Sequence, residues 1–370
     1  MPARPTVLFA YLGDPSGSSR ALRQLRALVE LGADVRVLAV GELGDALPAG
    51  VEVEMQPRPP GRGPLWFWRA HRAVHTRALH QPADLYLASD LYVLPALAEA
   101  ADAHGGALVF DSRELYAALD ASAGRPLVAR TWQAVERRYI RRADAVLTVG
   151  DAIAEELARV YGIARPTVIP NVPDTPRPPP SDRLRRALGI PDDGRTLVLY
   201  QGLFRAGRGL PTLLAAARET DSVRLALIGE GPLEAEVREG AASLGDRARV
   251  HPFVHPSALP SFTVGADVTA CLIEPLTESL RLSLPNKLFE SLHADVPVIA
   301  SPLPEIRHVV ETYAVGTLAD PTDVGAVVAS LRTASDPARR ARWRSGIPTA
   351  LAAYADGTAR FKALIQSLLQ

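Results

Sequence analysis

The sequence predicts an α/β protein of two domains, each built around a parallel sheet that helices cover. The chain has 370 residues, the length of two ordinary domains. Short apolar, β-branched segments alternate with longer helical stretches, which is typical of parallel sheets. The alternation is interrupted once, at Pro170–Asp182 (PNVPDTPRPPPSD), where closely spaced prolines predict a stiff, extended connection. We therefore predict one domain over residues 1–174 and a second over residues 175–370.

The first domain is expected to open with a buried strand at Thr6–Tyr11, a loop, and a helix at Arg20–Leu31 that ends at Gly32. The last helix, at about Arg360–Leu369, could pack on either domain. Apolar runs predict the remaining strands at residues 33–40, 84–88, 107–110 and 145–149 in the first domain, and at 196–200, 223–228, 268–273 and 296–300 in the second.

The composition disfavours several functional classes. The 41 basic and 41 acidic side chains give a formal net charge of zero, whereas non-specific nucleic-acid binders normally carry a basic excess. The single cysteine, Cys271, excludes an internal disulfide, and its apolar surroundings predict a packing residue rather than a nucleophile. We see neither a secretory signal nor an apolar run of about 20 residues. A cytoplasmic protein is expected, with attachment to the inner membrane face left open.

The segment Leu282–Ser301 (LSLPNKLFESLHADVPVIAS) is the most informative part of the chain. Pro285 and Asn286 are typical of the first turn of a helix, whose free N–H groups and dipole attract anions. Lys287 adds a full positive charge there, and Glu290, one turn later, is placed to accept hydrogen bonds from the vicinal hydroxyls of a ribose. The alternative is an ordinary surface helix with both charges solvated.

This segment resembles the donor-site signature of the retaining GT-B glycosyltransferases of family 4. Segments similar to other parts of that family occur in the same order, namely residues 142–149 and 168–172 in the first half, and Tyr200–Leu214, Leu227–Pro232 and Ala266–Val268 in the second. The resemblance covers nearly the whole chain. It implies the GT-B fold, with two facing Rossmann-like domains and a cleft between them. The first domain would bind the acceptor and the second the nucleotide-sugar donor.

The resemblance also implies roles for individual residues. Glu290 would bind the ribose, and Arg208 with Arg205 or Lys287 would hold the diphosphate as the catalytic cations. The backbone amides of Asn286 and Lys287 would share that load. Further substrate contacts would come from Gly13 and Gly17, approaching the diphosphate from the other domain, from Leu288 and Glu230, and from the main chain near Val254, which would contact the base.

Cleavage of the anomeric bond leaves negative charge on the nucleotide diphosphate, and fixed cations and amides stabilise such charge by several kcal/mol. The resemblance implies front-face attack with retention, the leaving phosphate helping to take the acceptor's proton. No metal and no other cofactor is expected, because no Asp-x-Asp accompanies the donor motifs. His251 and His255 also lack an evident third ligand.

The chain departs from the family pattern at one donor-site position. Many members have a second glutamate eight residues before the ribose-binding one, where it contacts the donor sugar. Leu282 occupies that position here. Glu274 and Glu278, in the preceding loop, are the candidates to replace it, and the identity of the donor sugar is therefore open.

A second departure lies in Asp111-Ser112-Arg113-Glu114-Leu115, where many relatives read Asp-x-His-Glu-Leu with the histidine facing the sugar. Arg113 is larger and permanently charged. Two hypotheses follow. Arg113 binds an anionic group of the donor or acceptor, or it simply pairs with Glu114 or Asp111.

The segment Arg62–His80 combines arginines with Trp66, Phe67 and Trp68. Basic residues beside tryptophan can mark an interfacial helix that reaches a lipid-linked acceptor. The alternative, which we favour, is an amphipathic helix whose aromatic side chains face the core.

We therefore predict a glycosyltransferase that moves a sugar from a UDP-, GDP- or dTDP-linked donor to a glycan, lipid-linked or small-molecule acceptor. The alternatives are a nucleotide-sugar epimerase and a non-catalytic sugar-nucleotide-binding protein, the latter motivated by Leu282 and Arg113. A pyridoxal-dependent phosphorylase is disfavoured because Lys287 and Lys362 are the only lysines. A dinucleotide oxidoreductase is disfavoured because no Gly-x-Gly-x-x-Gly follows the first strand.

Overall fold

A computed structural model describes residues 4–61, 63–118 and 126–370. The chain forms two compact units, the first comprising Met1–Asn171 with Asp356–Gln370 and the second Val172–Ala355. Each unit contains a parallel sheet with helices between its strands, so the predicted pair of Rossmann-like domains is confirmed. The division falls after Asn171, where the sequence placed it after residue 174, and the C-terminal helix belongs to the first unit.

The first unit has a seven-stranded parallel sheet in the order β3-β2-β1-β4-β5-β6-β7. The chain runs outward from β1 on one side and then returns to build the other side from β4. The carboxyl ends of β1 and β4 therefore border a topological switch point, where the loops diverge. The strands are β1 Thr6–Leu12, β2 Asp34–Val40, β3 Val51–Gln56, β4 Leu85–Ala88, β5 Ala107–Asp111, β6 Ala145–Thr148 and β7 Thr167–Val168.

The helices of the first unit cover this sheet. α1 begins where Ser18 Oγ accepts from the Ala21 amide at 3.2 Å, a standard N-cap. The C-terminal helix α15 packs against α1, and its buried Phe361 and Ile365 belong to the same core as β1 and β2. The helices are α1 Ser19–Glu30, α2 Pro64–Ala78, α3 Leu94–His104, α4 Pro126–Tyr139, α5 Asp151–Tyr161 and α15 Gly357–Leu368.

The second unit repeats the plan with a six-stranded parallel sheet in the order β10-β9-β8-β11-β12-β13. Its switch point lies between β8 and β11. Every residue of β8 and β9 is buried, as expected for central strands covered on both faces. The strands are β8 Thr196–Gln201, β9 Val223–Ile228, β10 Ala248–His251, β11 Val268–Cys271, β12 Val298–Ala300 and β13 Gly316–Leu318.

Nine helices flank this sheet in the second unit, all of whose residues are described. They are α6 Arg183–Leu188, α7 Leu210–Arg218, α8 Glu234–Ala242, α9 Pro260–Thr263, α10 Glu278–Arg281, α11 Asn286–His293, α12 Pro304–Tyr313, α13 Val324–Ala334 and α14 Pro337–Ala353. Cys271 is buried at the end of β11, where burial raises the pKa of its thiol to about 11, as suits a packing residue.

Four strands were not predicted, and all of them are short or lie at a sheet edge. β3, β10 and β13 are edge strands, and β7 has two residues. The residues of these edge strands are mostly only half-buried, so the strands give no continuous apolar run in the sequence. β12 is shorter than the predicted 296–300 and begins only after Pro297, which has no amide hydrogen to donate to a ladder.

Candidate functional site

The carboxyl edge of the second-unit sheet brings most of the predicted donor residues together. β8 ends at Gln201 and is followed by the loop of residues 202–209, which contains Arg205 and Arg208. α11 connects two parallel strands, β11 and β12, so its first turn lies at the carboxyl edge as well. The predicted residues of this sheet thus surround a switch point, the usual ligand position in such folds.

α11 begins at Asn286, as the sequence predicts. Pro285 is extended, with φ −77° and ψ 145°, and no side chain caps the helix. Its first turn contains no acidic residue. The first-turn amides and the positive end of the helix dipole are therefore directed at the switch point, where they favour an anion.

Lys287 lies over the ring of Tyr200, with its Nζ 4.6 Å from the ring centroid. The Tyr200 hydroxyl donates to the carbonyl of Leu203 at 2.8 Å, which holds the ring. Gly202 has φ +129°, and a Cβ there would stand 3.3 Å from the Lys287 Nζ, so glycine leaves room for the ammonium.

Desolvation lowers the pKa of Lys287 to about 8. Its charged and titratable neighbours act in both directions on that pKa: Cys271 and Glu290 raise it, whereas Arg208 and Arg205 lower it further. A diphosphate would relieve this repulsion among cations. We call Arg205, Arg208, Lys287 and Glu290 the second-unit cluster.

The carboxylate of Glu290 is held by a side chain that no motif indicated. Its Oε2 accepts from Nε2 of Gln201 at 3.1 Å, and Gln201 Oε1 in turn accepts from Thr263 Oγ1 at 2.8 Å. Gln201 and Thr263 are buried, whereas Glu290 is half-buried. The orientation of the predicted ribose-binding carboxylate is therefore fixed from the protein side.

The Gly-x-Gly turn after β9 supports the neighbouring loop. The Phe204 amide donates to the carbonyl of Glu230 at 2.8 Å. A Cβ at Gly229 would lie 1.9 Å from the carbonyl oxygen of Gly202, and one at Gly231 would lie 2.6 Å from that of Phe204. The two glycines are required by this close backbone approach, and the side chain of Glu230 is exposed.

The two glutamates considered as replacements for Leu282 have different surroundings. Glu274 Oε1 accepts from the amide of Gly209 at 3.2 Å, so it lies beside the loop that contains Arg208. Glu278 forms an ion pair with Arg281 within α10. Leu282 is buried. Glu274 is thus the carboxylate that the fold brings to the basic loop.

The other residues predicted to contact the donor in the second unit differ in their burial. The Leu288 side chain is fully buried in the core, and its amide donates to the carbonyl of Pro285 at 3.1 Å, so it anchors the helix start. Asn286 is exposed. Val254, after β10, is half-buried and packs against the core.

In the first unit, the loop after β1 has a defined conformation. Gly13 has φ +118°, a value that favours glycine. Asp14 accepts from the amides of Ser16 at 2.9 Å and Gly44 at 3.1 Å, and Gly17 closes a 3₁₀ turn. The loop lies at the carboxyl edge of that sheet, beside its switch point.

Asp111 forms a buried ion pair that the sequence did not reveal. Arg20 donates to both of its carboxylate oxygens at 2.7 Å, and Gln24 donates to Oδ2 at 2.8 Å. Arg113 and Asp111 form no ion pair among the described residues, although the Asp111 carboxylate interacts electrostatically with the guanidinium. No ion pair joins Arg113 to Glu114 among the described residues either; instead the Arg113 guanidinium lies 5.4 Å from the ring centroid of Tyr11.

The aromatic residues of α2 are half-buried or exposed. Phe67 stacks on Tyr92 with ring centroids 4.8 Å apart and meets Trp132 edge-on at 5.3 Å. Trp68 is 54 % exposed, with Arg72 over its ring. Phe67 is thus half-buried among aromatic side chains, whereas Trp68 is exposed. Arg62 lies outside the described residues.

Across the described residues, we find no helix long and apolar enough to cross a membrane.

Two protein-family models together account for most of the chain. The Glycosyltransferase Family 4 model matches residues 17–177, and the Glycosyl transferases group 1 model matches residues 195–336. The chain is a family 4-like glycosyltransferase. The second match contains the whole second-unit cluster. The first match begins at Gly17, in the loop after β1, and continues through the rest of the first-unit sheet. Among curated protein sequences, none matches this glycosyltransferase significantly.

Solved structures share the fold of this glycosyltransferase along its whole length. Sucrose-phosphate synthase from Thermosynechococcus elongatus is 20% identical with a TM-score of 0.79, and the match covers 99% of both chains. WaaG, a glycosyltransferase involved in lipopolysaccharide biosynthesis, is 18% identical with a TM-score of 0.77, and the match covers 97% of this chain and 99% of the WaaG chain. HepE from Anabaena, in complex with UDP-glucose, is 17% identical with a TM-score of 0.74, and the match covers 98% of this chain and 100% of the HepE chain. The predicted GT-B fold is confirmed.

Proposed function

We propose that this glycosyltransferase transfers a sugar from a nucleoside-diphosphate sugar with retention of anomeric configuration, and that the second unit binds the donor. The observation that carries the proposal is the second-unit cluster. Three cations and one carboxylate lie at the switch point of a parallel sheet, next to an uncapped helix N-terminus.

Each group of the cluster has a chemical task in this proposal. Arg208, Arg205 and Lys287 neutralise the charge that develops on the diphosphate as the anomeric bond breaks. Asn286 and Lys287 contribute backbone amides. Glu290, held by Gln201, accepts from the ribose hydroxyls. Glu230 and Val254 lie after β9 and β10, where a nucleoside bound beside β8 would be placed.

The reaction then follows from the leaving group. A phosphate oxygen of the leaving group accepts the proton of the acceptor hydroxyl. At the same time the hydroxyl oxygen attacks the anomeric carbon on the face from which the diphosphate leaves. The cations take over the charge stabilisation that a metal supplies elsewhere, so we propose that no metal is needed. The acceptor belongs to the first unit in this proposal, where Arg113 follows β5. The exposed Trp68 is the residue of α2 that a lipid-linked acceptor's membrane would meet.

The nucleotide is the first property to test. HepE was solved with UDP-glucose, so UDP compounds lead a panel that also includes GDP and dTDP. We expect the correct nucleoside diphosphate alone to raise the melting temperature, because ligands that bind the folded state stabilise it by mass action. If all three leave the melting temperature unchanged at about millimolar concentration, the proposed donor site is wrong.

The two lysines provide a matched pair of variants for this panel. Lys287→Met removes a cation of the cluster, and we expect it to abolish the nucleotide-induced shift. Lys362→Met removes the lysine of α15, which pairs with Glu30 in the first unit, and should leave the shift intact. Transfer is then measured with the stabilising nucleotide's sugars. A sugar epimerised without transfer would support the epimerase instead, and an inverted anomeric product would contradict retention.

A further inference from the structure

Arg113 follows β5 at the carboxyl edge of the first-unit sheet, beside Tyr11. Its guanidinium is 5.4 Å from the ring centroid of Tyr11, and its Nη1 donates to the Tyr11 hydroxyl across a long 3.4 Å. Tyr116, in the 3₁₀ turn Tyr116–Ala118, interacts electrostatically with the same guanidinium and is itself buried. We call Tyr11, Arg113 and Tyr116 the Arg113 cluster.

The two carboxylates that act electrostatically on Arg113, those of Asp90 and Asp111, accept their hydrogen bonds from other groups. Both oxygens of Asp111 accept from Arg20. Asp90 accepts from three backbone amides, those of Leu12, Tyr92 and Val93, at 2.8–3.2 Å. Neither carboxylate forms an ion pair with Arg113 in the part of the chain that the structure describes.

The guanidinium therefore keeps hydrogen-bond donors for another acceptor. Nε of Arg113 is withdrawn from solvent and has no hydrogen-bond partner among the described residues. Leaving a buried charged donor without an acceptor is costly, more so than for a neutral one. An arginine fork matches a planar carboxylate with two parallel hydrogen bonds.

We propose that the Arg113 cluster binds the carboxylate of an acidic sugar, and that it thereby selects a substrate of the transferase. This inference rests on the proposed function. The charge balance favours a carboxylate over a phosphate: Arg113 is the one cation of the cluster, and buried Asp90 lies close enough to interact with it electrostatically. A single guanidinium beside a carboxylate suits a monoanion better than a dianion.

An acidic sugar can enter the reaction as part of the donor or as the acceptor. Two pairs of compounds separate these sources, and each pair differs only at C6, which is a carboxylate in one member and a hydroxymethyl group in the other. UDP-glucuronate and UDP-glucose test the donor. D-glucuronate and D-glucose, titrated with and without saturating UDP, test the acceptor.

The measurement is calorimetric titration of the full chain. We expect one carboxylate compound to bind at least about tenfold more tightly than its neutral twin, the gain of a charge-assisted pair of hydrogen bonds. Arg113→Met should abolish that preference. Arg113→Lys, which keeps the charge without the fork, should reduce it and provides a second variant if the first does not fold. Arg138→Met, which removes an exposed arginine over the Tyr139 ring, should leave the preference unchanged.

The result also separates this inference from the proposed function. If UDP and UDP-glucose bind but neither carboxylate compound is preferred, the carboxylate site is wrong and the transferase stands. If no nucleotide binds, the donor site fails, while the free-sugar pair still tests Arg113. A preference that persists in folded Arg113→Met would overturn the inference in either case.

Discussion

Gln201 donates from Nε2 to Oε2 of Glu290 at 3.1 Å, which joins the end of β8 to the first turns of α11. The two residues are far apart in sequence, and the buried Thr263 fixes the other end of the amide at 2.8 Å. One side of the Glu290 carboxylate is thereby occupied by the protein. Its orientation is set before a nucleotide arrives, and such preorganisation reduces the cost of binding.

Glu290→Gln should fold normally and weaken nucleotide binding at least about tenfold, because a charge-assisted hydrogen bond contributes about 1.5–3 kcal/mol. A nucleotide without 2′ and 3′ hydroxyls should bind the parent and the variant almost equally. Calorimetric titration of both proteins with both nucleotides measures this. Glu311→Gln, on α12 where Glu311 pairs with Arg307, is the control and should have little effect. Equal affinities throughout would remove the ribose assignment.

Gln201→Met tests whether the buried amide positions Glu290. It keeps the length of the side chain but removes both hydrogen bonds, so we expect nucleotide affinity to fall about threefold or more. In the Glu290→Gln background the same change should cost less, because the partner has already been altered. If the two effects are fully additive in a double-mutant cycle, Gln201 does not act through Glu290.

The sequence predicted those parts of the site that lie within one segment. Pro285, Asn286, Lys287 and Glu290 form a local pattern whose helix start follows from the proline and the uncapped amides, and the structure places that start at Asn286. Central strands were also predictable from single segments, because burial on both faces gives unbroken apolar runs. Edge strands such as β10 give no such run.

Contacts between distant segments could not be predicted from one sequence. Arg20 and Asp111 are separated by 91 positions, and nothing in either neighbourhood shows that they meet. The Asp-Ser-Arg-Glu-Leu segment therefore left two hypotheses for Arg113, a bound anion and a local carboxylate partner. The same holds for the Gly-x-Gly turn, whose glycines Gly229 and Gly231 lie against the backbone of Gly202 and Phe204.

Asp111→Asn should destabilise the first unit, because it leaves Arg20 buried without a charged partner. Breaking a buried ion pair from one side typically costs about 3–5 kcal/mol. Urea unfolding followed by tryptophan fluorescence reports mainly on the first unit, which holds Trp66, Trp68 and Trp132. Glu234→Gln, which breaks an exposed pair on α8, should cost about 0.5 kcal/mol or less. Similar costs for both variants would show that the buried pair contributes no more than a surface one.

Transfer should survive a chelator. Among the described residues, no group of three or more histidine, cysteine, aspartate or glutamate side chains is arranged to hold a metal ion. The cations of the second-unit cluster are expected to stabilise the leaving diphosphate instead. Turnover with and without excess EDTA measures this. Loss of activity that manganese or magnesium restores would contradict the proposed mechanism.

Nucleotide-sugar binding should weaken as the pH rises through about 8, the pKa to which desolvation lowers Lys287. Only the ammonium form attracts the diphosphate, so affinity is greatest below this pKa and falls above it. Between about pH 7 and about pH 9 the protonated fraction of a group with this pKa drops about tenfold, which is the expected loss of affinity. A nucleotide sugar is the suitable ligand, because its phosphates do not titrate in that range.

Substitution identifies the group responsible for this pH dependence. Lys287→Arg keeps the positive charge at every pH in the range, since arginine is not deprotonated there, and its affinity should be nearly constant. Lys287→Met should bind weakly at both ends of the range. The parent must lose affinity with rising pH while Lys287→Arg does not. If both proteins lose affinity equally, a group other than Lys287 titrates in this range. Lys287 then either stays protonated throughout the range or does not contact the diphosphate.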